Sequence, residues 1–174
     1  NSDLLDLIEK VHEIKGLIRL RLGSLEPRIV TEDFAKRLSK LPKICPHFHL
    51  SLQSGSDSVL RRMNRRYTCG EFLEGVAWLR KYFEHPAITT DVITGFPGET
   101  GEEFNETVEF LKRVNFFEMH VFPYSKREGT LAATMPGQLT EKEKKERSAV
   151  LLKMDQEDSR FYREYYIGKE VSVL

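Results

Sequence analysis

The sequence predicts an α/β protein, a partial (β/α) barrel with about four parallel strands and flanking helices. Four times an alternating polar/apolar stretch runs into a loop of glycine, proline, serine or acid and then into a helical pattern. The strand ends read LRLGSLEP (20–27), HLSLQSGSD (49–57), TDVITGFPGET (90–100) and HVFPYSKREGT (120–130). Strands that alternate with helices pair in parallel, so their carboxyl ends collect on one rim, where binding groups gather. Opposite the apolar set stand Arg19, Arg21, His47, His49, Ser51, Gln53, Asp91, Glu118 and His120. One face of the sheet is therefore unusually polar, and four strands are too few to close an eight-fold barrel.

The elements follow in order. Ser2 and Asp3 are capping residues for a first helix whose apolar stripe is Leu4, Leu7, Ile8, Val11 and Ile14, ended by Gly16. A strand is predicted near 17–23, with Ile18, Leu20 and Leu22 on one face. Thr31 with Glu32 and Asp33 opens a second helix that buries Phe34, Leu38 and Leu41 and stops at Pro42. The second strand, about 47–53, sets Phe48, Leu50 and Leu52 against His47, His49, Ser51 and Gln53. A short helix follows around 57–63. Capping boxes Thr68–Glu71, Thr100–Glu103 and Thr140–Glu143 open three more helices. The third strand is predicted at 87–94 and the fourth at 116–122. The charged last helix reaches Tyr165, and KEVSVL (169–174) reads as the start of a further strand. Beginning on a helix and finishing on a fresh strand favours a piece of a larger barrel.

Composition narrows the function classes. With 27 basic and 27 acidic residues the formal net charge is zero, so a nucleic-acid partner would need a local patch or another domain. No run approaches the ~20 apolar residues of a membrane span, and the amino end lacks signal-peptide shape, so the chain reads as soluble and cytoplasmic. Cys45 and Cys69 are too few for a disulfide scaffold and lack metal-ligand spacing. Cys69, beside a helix start, is the one thiol whose pKa that position could lower.

Three constellations could carry chemistry. The polar face either closes on itself, Arg19 and Arg21 against Asp91 and Glu118, or faces water and a polar ligand. ITGFPGET joins a strand to a capped helix. There Gly95 and Gly98 would permit close backbone approach, free amides would suit an anion, and Glu99 would accept from ligand hydroxyls or complement the helix dipole. LQSGSD offers Gln53, Ser54 and Ser56 as uncharged donors and acceptors. A serine hydrolase is disfavoured, since no GxSxG elbow is present. Arg61, Arg62, Arg65 and Arg66 form a basic cluster, and Lys126 and Arg127 beside Tyr124 offer a charge-plus-stacking surface.

The ordered set LGSLEP, HFHLSLQSGSD, MNRRYT, ITTDVITGFPGET and PYSKREGT resembles the methylthiotransferase branch of the radical S-adenosylmethionine enzymes, over about residues 1–166. It looks most like the tRNA threonylcarbamoyladenosine branch. The resemblance implies that 1–166 is the carboxy-terminal part of a radical S-adenosylmethionine partial barrel. It makes 167–174 the start of a truncated small β domain, of the tRNA-binding TRAM-like kind. It implies S-adenosylmethionine as cofactor, two four-iron four-sulfur clusters in the parent enzyme, and tRNA as partner through domains outside this chain. The family's CxxxCxxC is not in this sequence, so no metal ligand and no catalytic residue is assigned here. The isolated chain is expected to be inactive.

Carried over by motif, the cofactor-facing rim would comprise Ser24, Glu26, Gln53, Ser54, Asp91, Ile93 and Tyr124. Arg65 in MNRRYT would pair with the cofactor carboxylate. The family's chemistry is radical methylthiolation of a hypermodified adenosine beside the anticodon. Its sisters act on isopentenyladenosine in tRNA or on a ribosomal-protein aspartate. A non-catalytic β/α binding module with a structural polar core is the reading from another class. Open sheet edges also predict self-association of such a piece.

Overall fold

The computed structural model describes residues 3–171. Ser2 and residues 172–174 of the expected terminal strand lie outside them, and the described 169–171 form no strand. Seven helices and four strands are found among the described residues, with a short 3₁₀ turn at Pro27–Ile29. The helices are α1 (Leu4–His12), α2 (Glu32–Leu38), α3 (Asp57–Arg62), α4 (Cys69–Tyr82), α5 (Gly101–Val114), α6 (Leu131–Thr134) and α7 (Glu141–Glu164). The strands are β1 (Leu20–Leu25), β2 (Ile44–Leu50), β3 (Ala87–Thr94) and β4 (Glu118–Pro123). They form one all-parallel sheet in the order β1-β2-β3-β4.

The helices cover one face. Phe48, Leu50, Ile88, Val92 and Met119 point from the strands into a core closed by Leu5 and Ile8 of α1, Leu38 of α2, Phe72 and Leu79 of α4, Leu111 of α5 and Leu151 of α7. The caps stand where the sequence puts them: Thr68, Thr100 and Thr140 each close a box with the glutamate three residues on, and Thr31 accepts from Phe34 N–H. Asp3 forms a further box with Asp6.

Three expectations change. The α1 stripe is rotated: Leu5 and Ile8 are buried, whereas Leu7 and Ile14 are each 56% exposed and the helix ends at His12. The first strand starts at Leu20, leaving Ile18 exposed, and its alternation breaks at Gly23. Leu22 pairs with Phe48 but Ser24 with His49, so both Leu22 and Leu25 reach the core. The second strand starts three residues early, at Ile44, and stops its regular ladder at Leu50. Beyond a bulge the chain rejoins the sheet at Gln53, whose N–H bonds Asp91 O and whose O accepts from Ile93 N–H, both at 2.9 Å. Thr90 fills that bulge, donating to Leu50 O at 2.6 Å and accepting from Leu52 N–H at 3.1 Å.

The edges are managed unequally. α7 lies along β4, where the Asp155 carboxylate accepts the Met119 N–H at 2.6 Å and the Thr94 hydroxyl meets Ser148 at 2.7 Å. A side chain thus occupies a backbone donor on the outer side of β4.

Candidate functional site on the open face of the sheet

The face without helices carries the polar residues. Period-two alternation turns His47 and His49 on β2, Thr89, Asp91 and Ile93 on β3, and Glu118, His120 and Phe122 on β4 away from the core. Arg21 stands between Leu20 and Leu22 on β1; burial first, and then the Arg21 charge, holds the His47 imidazole below its ordinary pKa. His47 Nδ1 is buried without a hydrogen-bond partner.

Of the two arrangements open to the polar face, the closed one would have set Arg19 and Arg21 against Asp91 and Glu118; the ion pairs that Asp91 makes are with histidines. One Asp91 oxygen lies 3.3 Å from His49 Nε2 and the other 3.1 Å from His120 Nδ1. The two imidazoles stack, with centroids 5.6 Å apart and planes 26° from parallel. His49 Nδ1 is held in turn by Thr89 Oγ1 at 3.0 Å. Strand register explains the cluster, since His49 pairs with Thr89 and Asp91 with His120. His49 is buried, while His120 leaves half its side chain open to the face. Phe122 adds an aromatic surface above it, 52% exposed and edge-on to His120. His49, His120 and Phe122 are absent from the expected cofactor rim, although the alternation of β2 and β4 already set them on its side.

The remaining rim residues divide. Ser24 is exposed at the end of β1 across from His49, and Glu26 follows it, paired to Arg28 Nε at 2.8 Å. Gln53 is almost buried, on a left-handed backbone with φ 70°. Ile93 stands half-buried two residues beyond Asp91. Arg65 is exposed, and with Glu26 it acts oppositely on the Tyr67 hydroxyl, whose pKa burial pushes up to about 12. That hydroxyl donates to Ser51 O and Leu52 O, pinning the end of β2.

Ser54 is fully buried, its hydroxyl 3.3 Å from Thr107 on α5, so it is turned away from the rim. Tyr124 packs edge-on to Phe96 with Lys144 above its ring, and its hydroxyl is buried and unpartnered. Lys126 and Arg127 beside it are exposed.

The ITGFPGET loop is occupied by the protein itself. Gly95 has φ +69°, and a Cβ there would stand 2.5 Å from Lys144 Cγ, so the space serves a lysine stem and not a ligand. The N–H groups of Gly95, Gly98, Glu99, Thr100 and Glu103 all bond within the chain. Glu99 is buried, taking the Gly95 N–H and pairing with Arg147. Burial raises its pKa, with Arg147 and the Gly95 amide opposing. Glu103 is the opposite case: hydrogen bonds from Arg62 hold it down to about 2. Arg62 therefore leaves the basic cluster for an internal clamp, and Arg61, Arg65 and Arg66 remain exposed.

Burial, with the nearby Asp57 adding to it, pushes the Cys69 thiol up, against the lowering that its place at a helix start would give. An outer cleft of about 510 Å³ beside it, lined by Asp57, Arg61, Glu106 and Arg113, lies between helices, away from the open face. The two cysteines are free, Cys45 on β2 and Cys69 at the start of α4. No described helix is long and apolar enough to cross a membrane.

Comparison with known proteins gives the arrangement a context. The chain is 42% identical over 173 residues to threonylcarbamoyladenosine tRNA methylthiotransferase MtaB of Thermotoga maritima, covering 99% of this chain and 40% of that protein. It is 43% identical over 168 residues to tRNA-2-methylthio-N(6)-dimethylallyladenosine synthase of Moorella thermoacetica, covering 97% of this chain and 38% of the relative. The chain thus spans about two fifths of the length of the curated relatives it matches. Among solved structures, coproporphyrinogen III oxidase (HemN) of Escherichia coli, a radical SAM enzyme, superposes with a TM-score of 0.68 at 17% identity, over 89% of this chain and 36% of that one. The likeness extends the partial-barrel fold beyond recognisable sequence. The family model described as the radical SAM superfamily matches residues 1–111, and with the parallel sheet and open polar face this establishes that the chain belongs to the radical SAM superfamily.

Proposed function

We propose that this chain is the later part of the barrel of a tRNA methylthiotransferase, acting on threonylcarbamoyladenosine, and that its open face forms half of an S-adenosylmethionine pocket. The observation that carries the reading is the row of Asp91, Ile93, His120 and Phe122 on one uncovered face; to its rim we assign Ser24, Glu26 and Gln53, at the carboxyl ends of β1 and β2, and Arg65 in the loop after α3. A cofactor with an adenine, a ribose and a charged amino-acid end needs such a mixture. Ile93 and Phe122 offer apolar contact to the base, Asp91 accepts from hydroxyls, and Arg65 suits a carboxylate.

Near-equal similarity to the two curated tRNA enzymes supports tRNA methylthiolation, and the CPHFHLSLQSG and LRLGSLEP wording favours the threonylcarbamoyl substrate. S-adenosylmethionine with an iron–sulfur cluster supplies the radical chemistry when bound. The ligand cysteines are not among these residues, so the share assigned here is binding, orientation and exclusion of water. A second cluster and the grip on tRNA are assigned to parts of the parent protein outside this chain. With those parts missing, the chain alone is expected to be inactive.

The test uses the full parent protein in cells lacking both tRNA methylthio modifications. Nucleoside mass spectrometry should show 2-methylthio-threonylcarbamoyladenosine restored, and Asp91→Asn should lower it at least tenfold at unchanged protein level. Restoration of the dimethylallyl product alone would move the substrate assignment to the second relative. Neither product would overturn the reading.

A further inference from the structure

We infer that His49, Asp91 and His120 form a binding site for one divalent transition-metal ion of the zinc or cobalt class, separate from any iron–sulfur cluster. The donor set is two imidazoles and a carboxylate, one of the combinations such ions take. A tetrahedral ion with ~2.0–2.1 Å bonds has ligand–ligand edges of about 3.3 Å. The Asp91 oxygens already stand 3.3 Å from His49 Nε2 and 3.1 Å from His120 Nδ1, and one ligand atom from each of the three residues lies within 4.8 Å of the others. The two short contacts use different Asp91 oxygens, and two such bonds span at most ~4.2 Å, so an ion would draw the three ligand atoms together from their spread of up to 4.8 Å by side-chain rotation as it replaced the hydrogen bonds.

The surroundings fit the same purpose. Metal-bound histidines nearly always use their second ring nitrogen on an outer partner, which fixes the tautomer. Thr89 Oγ1, 3.0 Å from His49 Nδ1, is that partner. Its hydroxyl can accept from Nδ1–H when Nε2 binds an ion, or donate when Nε2–H serves Asp91, so the site is stable in both states. All four side chains come from three adjacent hydrogen-bonded strands in fixed register, which positions ligands more precisely than loops do. Half-exposed His120 leaves a fourth coordination position open to the face, as in zinc sites that do chemistry. The sequence gives no spacing signal because each ligand lies on a different strand.

The inference stands whether or not S-adenosylmethionine binds the rim, since its test uses the ion alone. Cobalt(II) chloride is titrated into the 174-residue chain and into the parent protein, followed by visible ligand-field absorption. The expected result is a saturable spectrum of four-coordinate type at one ion per chain, displaced by zinc. Asp91→Asn and His120→Ala should each weaken binding at least tenfold, and Thr89→Val, which removes no ligand, about 10–100-fold. Zinc should raise the melting temperature of the wild type and of neither ligand variant, with far-ultraviolet circular dichroism checking that each variant is folded. Should a variant unfold, the wild-type spectrum and stoichiometry still decide. No saturable spectrum, or one unchanged by Asp91→Asn, would overturn the site and leave the three residues a hydrogen-bonded triad.

Discussion

Two carboxylates four residues apart show how environment divides one residue type into different roles. Glu103 receives both guanidinium ends of Arg62, with Ser58 and the Thr100 N–H adding donors, and its pKa sits near 2. Its folded pKa is depressed below the ordinary value of 4.5, so the stability it contributes is present above that pH. It is lost as pH falls from about 4.5 through about 2. Urea unfolding of the wild type at stepped pH should show this loss, and Arg62→Met should flatten that part of the profile. Glu99 is buried with Arg147, so removing the arginine leaves a buried carboxylate without its cation. Arg147→Ala should therefore cost on the order of 3–5 kcal/mol in urea denaturation. A cost under ~1 kcal/mol would show that water reaches Glu99 and that the pair is effectively a surface one.

Between elements, glycines decide how closely the strand-end loops approach their neighbours. A Cβ at Gly55 would lie 2.8 Å from Thr107 Cα and 3.0 Å from Thr107 O, both α5 backbone that cannot step aside. The same approach lets the Gly55 N–H reach Thr107 Oγ1 at 3.2 Å. Gly55→Ala should destabilise by roughly 1–3 kcal/mol or more through overpacking, whereas Gly101→Ala, with open space around it, should be near neutral or stabilising. Paired denaturation curves check this, and equal effects would mean the Gly55 loop moves freely. At Gly137 the left-handed backbone lets Gly98 donate its N–H to Gly137 O at 2.8 Å, locking the loop between α6 and α7 onto the loop after β3. At the other end of the sheet His85, itself at φ 43°, lies between the rings of Tyr162 (4.3 Å) and Tyr165 (3.8 Å), anchoring the end of α7.

For the whole molecule, one helix layer closes one face of a four-stranded sheet and leaves the other to the solvent. Leu50→Ala, at a wholly buried position, should cost about 2–5 kcal/mol, while Leu7→Ala on exposed α1 should stay within about 0.5 kcal/mol. Comparable losses at both would place α1 differently. Much of this architecture was legible: β3 was read at its observed limits, and the threonine–glutamate boxes marked the starts of α4, α5 and α7. The first strand was misplaced because its bulges break the period-two pattern, and the α1 stripe because a leucine-rich helix presents two apolar faces. Among rim residues, Asp91 was legible from alternation alone. The burial of Ser54 against Thr107 on α5 was not, since it depends on a segment 53 residues away. On β2, β3 and β4 the sequence by itself determined which residues share a face, because period is a local property of the chain where no bulge interrupts it. Only the tertiary structure decided which of them touch, since the join of His49, Asp91, His120 and Thr89 is set by register between strands dozens of residues apart.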